Sequence, residues 1–169
     1  RVNIALQKQQ PLRYGENPHQ AAAMYVPAGK APSGLAASKQ LQGKELSYNN
    51  LVDIDAAVNL VQEFPNETAF VIIKHTNACG AATASTVREA YLKAFAADTI
   101  SAFGGVLACN REVDIEAATE INKLFFEILI APGFTADAVA LLGSKKNRMI
   151  LKQKKSLTGT RQAKTLLNG

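Results

Sequence analysis

The feature that most constrains this chain is a regular exchange of periodicities that begins at residue 69. Short apolar runs over 69–73, 105–109, 128–131 and near 149–151 alternate with stretches of helical spacing over 86–97, 114–125 and 135–142. The runs have strand length and are bounded by polar or turn-forming residues. Thr86 and Glu89 stand at capping-box spacing where the first of these helices opens. Strand and helix in strict turn predict an α/β fold in three layers, αβα, with a largely parallel sheet covered on both faces. In open sheets of that kind ligands bind beyond the carboxyl ends of the strands, which directs attention to residues 74–80, 110–112 and 132–133.

Upstream the character is different. Residues 11–47 are rich in Gly, Pro, Gln and Ala with weak periodicity, so residues 1–47 read as an extended N-terminal arm with loops, and residues 48–169 as the α/β unit. Asn49 or Asn50 can cap a helix with Asp53 and Asp55 near its start and Leu51, Ile54, Val58 and Val61 on its apolar face. Phe64-Pro65-Asn66 ends it.

Composition excludes several classes. With 47% hydrophobic and 20% charged residues in 169, the chain can build a core. No apolar stretch is long enough to cross a bilayer and no signal-peptide order stands at the start, so a cytoplasmic setting is expected. Cys79 and Cys109 lie apart with no CxxC pair or His/Cys cluster, so free thiols are expected, and neither a disulfide framework nor a metal site. The net charge of +5 is uneven: Lys145, Lys146, Arg148, Lys152, Lys154, Lys155, Arg161 and Lys164 crowd the last part of the chain. No aromatic residue follows Phe134, which removes base stacking, so the cluster reads first as a solvated face and tail and second as an attraction for an anionic small molecule.

Three segments carry chemistry. Lys74 and His75 close an apolar run, where a desolvated ammonium can stabilise an oxyanion and an imidazole can move a proton near neutral pH. Such residues serve equally as a solvated edge charge and a structural histidine. Ser101-Ala102-Phe103-Gly104-Gly105 sets paired glycines before a strand, either for close approach of main-chain N–H groups to a ligand or for a tight turn. Arg13-Tyr14-Gly15 offers a forked cation beside an aromatic ring, or an ordinary exposed arm residue.

These segments occur in one order with others: Leu12-Arg13-Tyr14-Gly15-Glu16-Asn17-Pro18-His19-Gln20, Gln42-Gly43-Lys44-Glu45-Leu46-Ser47-Tyr48-Asn49-Asn50, Lys74-His75-Thr76-Asn77-Ala78-Cys79-Gly80, Ser101-Ala102-Phe103-Gly104-Gly105 and Ile130-Ala131-Pro132. Together they resemble AICAR transformylase, the formyltransferase portion of the bifunctional purine-biosynthesis enzyme that also carries IMP cyclohydrolase. The resemblance implies a cytidine deaminase-like fold and transfer of a formyl group from 10-formyltetrahydrofolate, as co-substrate, to the 5-amino group of AICAR ribotide. It implies His75 as proton acceptor and Lys74 as transition-state stabiliser. Arg13 and Tyr14 match the ribotide-binding arm, Asn50 a position near the nucleotide, Gly104 a backbone contact and Glu127 an acidic position before Ile128-Leu129-Ile130-Ala131-Pro132.

It implies no metal, and partners limited to ribotide, folate and a second copy of the chain. In that homodimer the Arg-Tyr arm and the Lys-His strand come from different subunits. A zinc deaminase on a similar fold would need a His/Cys/Cys set and a nearby Glu, which are not found. Ala78 stands where the family commonly has Pro, and Thr99-Ile100 replaces the usual Pro-Thr, which softens loops without removing a catalytic group. The likeness places residues 166–169 where the first half of the transformylase gives way to the second, so the chain reads as a fragment or split subunit. Three readings follow: a catalytic portion that needs the other half, a nucleotide-binding remnant without turnover, and a basic nucleic-acid-binding domain.

Overall fold

The structure is a computed structural model that describes residues 3–154. Lys155, Arg161 and Lys164 of the basic cluster, and residues 166–169, lie outside the described residues. The arm is more ordered than a loop: β1 (Leu6–Leu12) and β2 (Ala22–Pro27) form an antiparallel ribbon. A 3-10 turn, Gly34–Ala37, leads to β3 (Lys39–Gln42), which joins the main sheet.

The helix α1 (Tyr48–Gln62) starts earlier than its asparagines predict, because Ser47 is the N-cap. The Ser47 hydroxyl accepts from Asn50 N–H at 3.2 Å, and Asn50 Oδ1 accepts from Ser47 N–H at 3.0 Å. Asn50 thus fills the third helical position of a capping box. Ile54, Ala57, Val58 and Val61 then recur on one face and are buried.

From there the elements are β4 (Thr68–Lys74), β5 (Asn77–Ala84), α2 (Val87–Ala97), β6 (Val106–Cys109), α3 (Ile115–Ile121), β7 (Ile128–Ala131), α4 (Ala136–Gly143) and β8 (Met149–Lys152). Thr86 caps α2 through Glu89 N–H, but the Glu89 carboxylate accepts from the Ser85 hydroxyl, so the reciprocal half of the expected box goes to the preceding residue. The helix α3 stops four residues short of its predicted end, because Asn122 caps it and the carbonyls of Asn122 and Leu124 turn to a buried arginine, Arg148.

The main sheet has the order β3-β8-β7-β6-β4-β5. Its centre, β6-β7-β8, is parallel, but β3 pairs antiparallel with β8 and β4 pairs antiparallel with both β6 and β5. The sheet is therefore mixed. The reason is β5, whose Ala- and Gly-rich sequence carries no strand signal yet returns from β4 through a two-residue turn that permits only antiparallel pairing.

Alternation along the strands builds the three layers. Ala69, Val71, Ile73, Val106, Ala108, Ile128 and Ile130 meet α1, while Phe70, Ile72, Leu107, Cys109 and Leu129 meet α2, α3 and α4. Each fully buried Val, Leu, Ile or Phe contributes about 1.5–3 kcal/mol. Helix and sheet approach closely at Gly80, where a Cβ would stand 1.9 Å from the Ala94 carbonyl oxygen.

Arg148 corrects the reading of the basic cluster as a solvated face, since it is 1% exposed. Its guanidinium donates to Asn122 Oδ1 at 2.6 Å, Asn122 O at 3.0 Å and Leu124 O at 2.7 Å, and lies 4.2 Å from the Phe126 ring centroid. Burial lowers its pKa from the ordinary guanidinium value. Among the described residues no helix is long and apolar enough to cross a membrane.

Candidate active site

The reversal of β4 decides where the chemistry sits. Lys74 ends β4, and because β4 runs against β6, it lies beside Val106 at the amino end of β6. Asn110 and Pro132-Gly133, which follow β6 and β7, lie at the opposite end of the sheet. The three segments picked out by the carboxyl-end rule thus do not form one site. Asn110 is a clasp instead: its side chain accepts from Ala69 N–H and donates to the carbonyls of Phe64 and Glu67.

At the Lys74 end a cavity of about 760 Å³ opens, within the range of small-molecule sites. Tyr14, Asn50, Lys74, His75, Gly104 and Glu127 line it, six of the seven residues the sequence proposes. The seventh, Arg13, is exposed and packs on its neighbour, with its guanidinium carbon 4.6 Å from the Tyr14 ring centroid and a nitrogen 3.2 Å from the Tyr14 hydroxyl. The arm is held there by backbone: Arg13 N–H donates to Leu46 O at 2.9 Å and Tyr48 N–H to Tyr14 O at 3.0 Å. Tyr14 and Lys74 of one chain therefore share one cavity.

Lys74 is half-buried, and its ammonium donates to Phe103 O at 2.9 Å. One of its three donors is used and two remain. His75 and Thr76 are the two central residues of the β4–β5 turn, with φ of 50° and 62°. Positive φ at both positions is the requirement of a type I′ hairpin, usually met by Asn-Gly, and it is strained for a β-branched threonine. Three contacts hold the turn. Thr76 N–H donates to Asp53 Oδ1 at 2.8 Å, and the His75 carbonyl accepts from Thr76 Oγ1 at 2.6 Å and from Asn77 Nδ2 at 2.8 Å.

The far wall is formed where residues 125–127 run beside 104–105. Gly104, at φ 75°, donates its N–H to Phe125 O at 2.8 Å, and Gly105 donates to Ala102 O at 3.1 Å. Of the two readings of these paired glycines, the tight turn is the one these bonds match, since both N–H groups are engaged within the chain. Asn50 is likewise committed: its Oδ1 serves the capping box and its Nδ2 lies 3.4 Å from Glu127 Oε2. Phe103 and Phe125 stand on the lip with ring centroids 5.0 Å apart, both more than two-fifths exposed.

Sequence reasoning missed Asp53 and Thr76 as parts of the wall. The available signal was spacing, because Asp53 follows Asn50 by three residues on α1 and so faces the same side. Among the described residues no three His, Cys, Asp or Glu side chains gather as metal ligands would. Cys79 is half-buried and Cys109 buried, both as free thiols.

A family model described as the AICARFT/IMPCHase bienzyme matches residues 1–169. Proteins named bifunctional purine biosynthesis protein PurH are similar throughout. The one from Bacteroides thetaiotaomicron is 51% identical over 169 residues, covering 100% of this chain and 32% of its own length. Those from Halalkalibacterium halodurans and Brucella ovis are 50% and 58% identical, covering 89% and 83% of this chain and 29% and 26% of their own lengths. The chain thus spans about a third or less of these relatives. With a family match over its whole length and half its residues shared with such relatives, this chain belongs to the AICARFT/IMPCHase bienzyme family.

Proposed function

We propose that this chain supplies the proton-transfer and oxyanion-stabilising side of a formyltransferase site, acting on the 5-amino group of AICAR ribotide with 10-formyltetrahydrofolate as formyl donor, in the synthesis of IMP. The observation that supports this reading is the convergence of Tyr14, Asn50, Lys74, His75, Gly104 and Glu127, drawn from separate segments, on one cavity. The amine is a weak nucleophile, because its lone pair is conjugated with the imidazole and carboxamide. Attack on the formyl carbon requires its proton to leave as the new C–N bond forms. His75, exposed at the tip of its turn, takes that proton. Lys74, with two donors free, faces the negative charge that develops on the formyl oxygen. The oxyanion then re-forms the C=O bond, the electron pair of the bond to the folate nitrogen leaves with that nitrogen, and the nitrogen takes up the proton that His75 received.

The cavity wall carries Glu16, Asp53 and Glu127 against Lys74. A ribotide phosphate is therefore better matched to Arg13 at the rim, whose guanidinium is pre-organised on the Tyr14 ring. Asn50 and Glu127 suit the neutral, hydrogen-bonding parts of the nucleotide.

Ribotide binding and folate-dependent formylation, measured for this chain alone and with the rest of the parent protein supplied in trans, test the proposal. Binding by the chain and turnover in the combined system are expected. Binding without turnover in either case would leave a nucleotide-binding remnant, and salt-sensitive affinity for nucleic acid without ribotide binding would reject the reading outright. Within one chain the arm residue Tyr14 and the strand end already share the cavity, so the homodimer implied by the family, with arm and strand end from different subunits, is a separate arrangement with its own test. Mixing Arg13→Ala with His75→Ala protein restores activity if arm and strand end come from different subunits, and fails to restore it if one chain supplies both.

A further inference from the structure

The His75-Thr76 turn has backbone angles that one of its residues does not favour. Both lie in the left-handed region, at φ 50° and 62°, which histidine enters more readily than most residues but a β-branched threonine does not. A turn of two such residues persists only where its surroundings determine it. The contacts that bear on it differ in kind. The two bonds to the His75 carbonyl come from Thr76 and Asn77, residues of the turn itself, and move with it. The bond from Thr76 N–H to Asp53 Oδ1, 2.8 Å, comes from α1, 23 positions away in the chain. Among the described residues it is the hydrogen bond that joins this turn to the helix that also carries Asn50.

We infer that Asp53 is a positioning residue: its carboxylate holds Thr76 N–H and thereby keeps the His75-Thr76 turn left-handed, which aims the His75 imidazole into the cavity. The inference deepens the formyl-transfer reading and rests on it for the role of His75. It assigns to Asp53 an effect on the rate of the proton-transfer step. A positioning role sets two requirements: any acceptor of similar size at position 53 serves, and a residue that adopts positive φ without strain at position 76 makes the acceptor dispensable. Glycine is that residue, and the second central position of a type I′ turn is where it is preferred. A carboxylate that instead touched substrate would be replaced by neither change.

The test has two arms. In the first, NMR of this chain compares the unsubstituted protein with Asp53→Ala, Asp53→Asn and the double variant Asp53→Ala/Thr76→Gly. Alanine is a strong helix former, so α1 is retained. Strong intraresidue HN–Hα cross-peaks at His75 and Thr76 report positive φ, and hydrogen exchange at the Thr76 amide reports its bond. The cross-peaks should weaken in Asp53→Ala, survive at both residues in Asp53→Asn, and survive at His75 in the double variant. Their survival in Asp53→Ala would overturn the inference.

In the second arm the same substitutions are made in the full-length parent enzyme. Asp53→Ala should lower kcat by tenfold or more, on the order expected of a misplaced catalytic group, with KM changed by less than about twofold. Asp53→Asn and the double variant should recover most of that loss. A double variant whose turn is restored but whose kcat is not would show that Asp53 acts on substrate directly, and would overturn the inference. If the unsubstituted parent forms no formylated ribotide, the formyl-transfer reading fails by itself, while the first arm still decides whether Asp53 sets the turn.

Discussion

The Asn50 side chain joins two walls of the cavity, accepting Ser47 N–H on one oxygen while its Nδ2 lies 3.4 Å from Glu127 Oε2. One amide thus finishes the cap of α1 and holds the carboxylate that precedes β7. Asn50→Asp keeps the acceptor and suits a helix N-terminus, so stability should change by less than about 1 kcal/mol. It sets a carboxylate against Glu127, so ribotide affinity should fall. Asn50→Ala should lose both, with about 1 kcal/mol from the cap. Urea denaturation and calorimetric titration separate the two effects.

The roles given to Lys74 and His75 predict a split between turnover and binding. In the full-length parent, His75→Ala should lower kcat by about 100- to 10,000-fold, the range for a general base, with ribotide affinity little changed. Lys74→Ala should act in the same sense. Equal losses in kcat and affinity would mean that these residues bind substrate and do not act on the reaction.

Arg148 is a cation inside the protein with carbonyls and an amide oxygen in place of a carboxylate partner. Arg148→Ala would leave those acceptors without donors and remove the packing on Phe126. A loss of about 3 kcal/mol is expected, read by chemical denaturation. A change below about 1 kcal/mol would show that water replaces the guanidinium.

Gly80 is predicted to tolerate no side chain. A Cβ there would stand 1.9 Å from Ala94 O, so Gly80→Ala must push α2 off the edge strand β5. The loss of stability should exceed about 4 kcal/mol, and soluble expression is the first measurement to show it.

Burial pushes the Cys109 thiol up to about 12 from an ordinary value of 9.0. Between those values the unfolded chain has released a proton that the folded chain still holds. The unfolded state then binds fewer protons, so stability falls as pH rises. The contribution is complete below pH 9 and lost as the pH climbs toward 12. At pH 10.5 the loss is about 2 kcal/mol from this group. Tyr91, also raised to about 12 by burial, adds in the same direction. Denaturation midpoints at pH 8 and 10.5 should differ less in Cys109→Ala than in the unsubstituted protein.

Much of this architecture was legible where periodicity was strong. The strands β4, β6, β7 and β8 are dense in Val, Ile and Leu, and α2 and α4 repeat at helical spacing, so their positions follow from the residues. The strand β5 was not legible, because Asn77-Ala78-Cys79-Gly80-Ala81-Ala82-Thr83-Ala84 has low strand propensity. It is a strand because β4 offers it a ladder and α2 packs over it, a tertiary cause. With β5 hidden, the direction of β4 was hidden too, and the carboxyl-end rule grouped residues 74–80 with 110–112 and 132–133, which lie at the other end of the sheet. The residues proposed for the site stood out through the motifs that carry the family resemblance. Their convergence was not legible, since Asp53 and Thr76 gain their relation only when α1 lies along the sheet.

The two-residue turn at the end of β4 has a consequence for how this sequence can change length. Loops between strands and helices accept insertions, because the elements on either side keep their places. Lys74 pairs with Asn77, so one added residue between them would demand another turn type or slide β5 along β4. Among the described residues, the segment proposed to carry the chemistry is therefore one whose length the hairpin fixes.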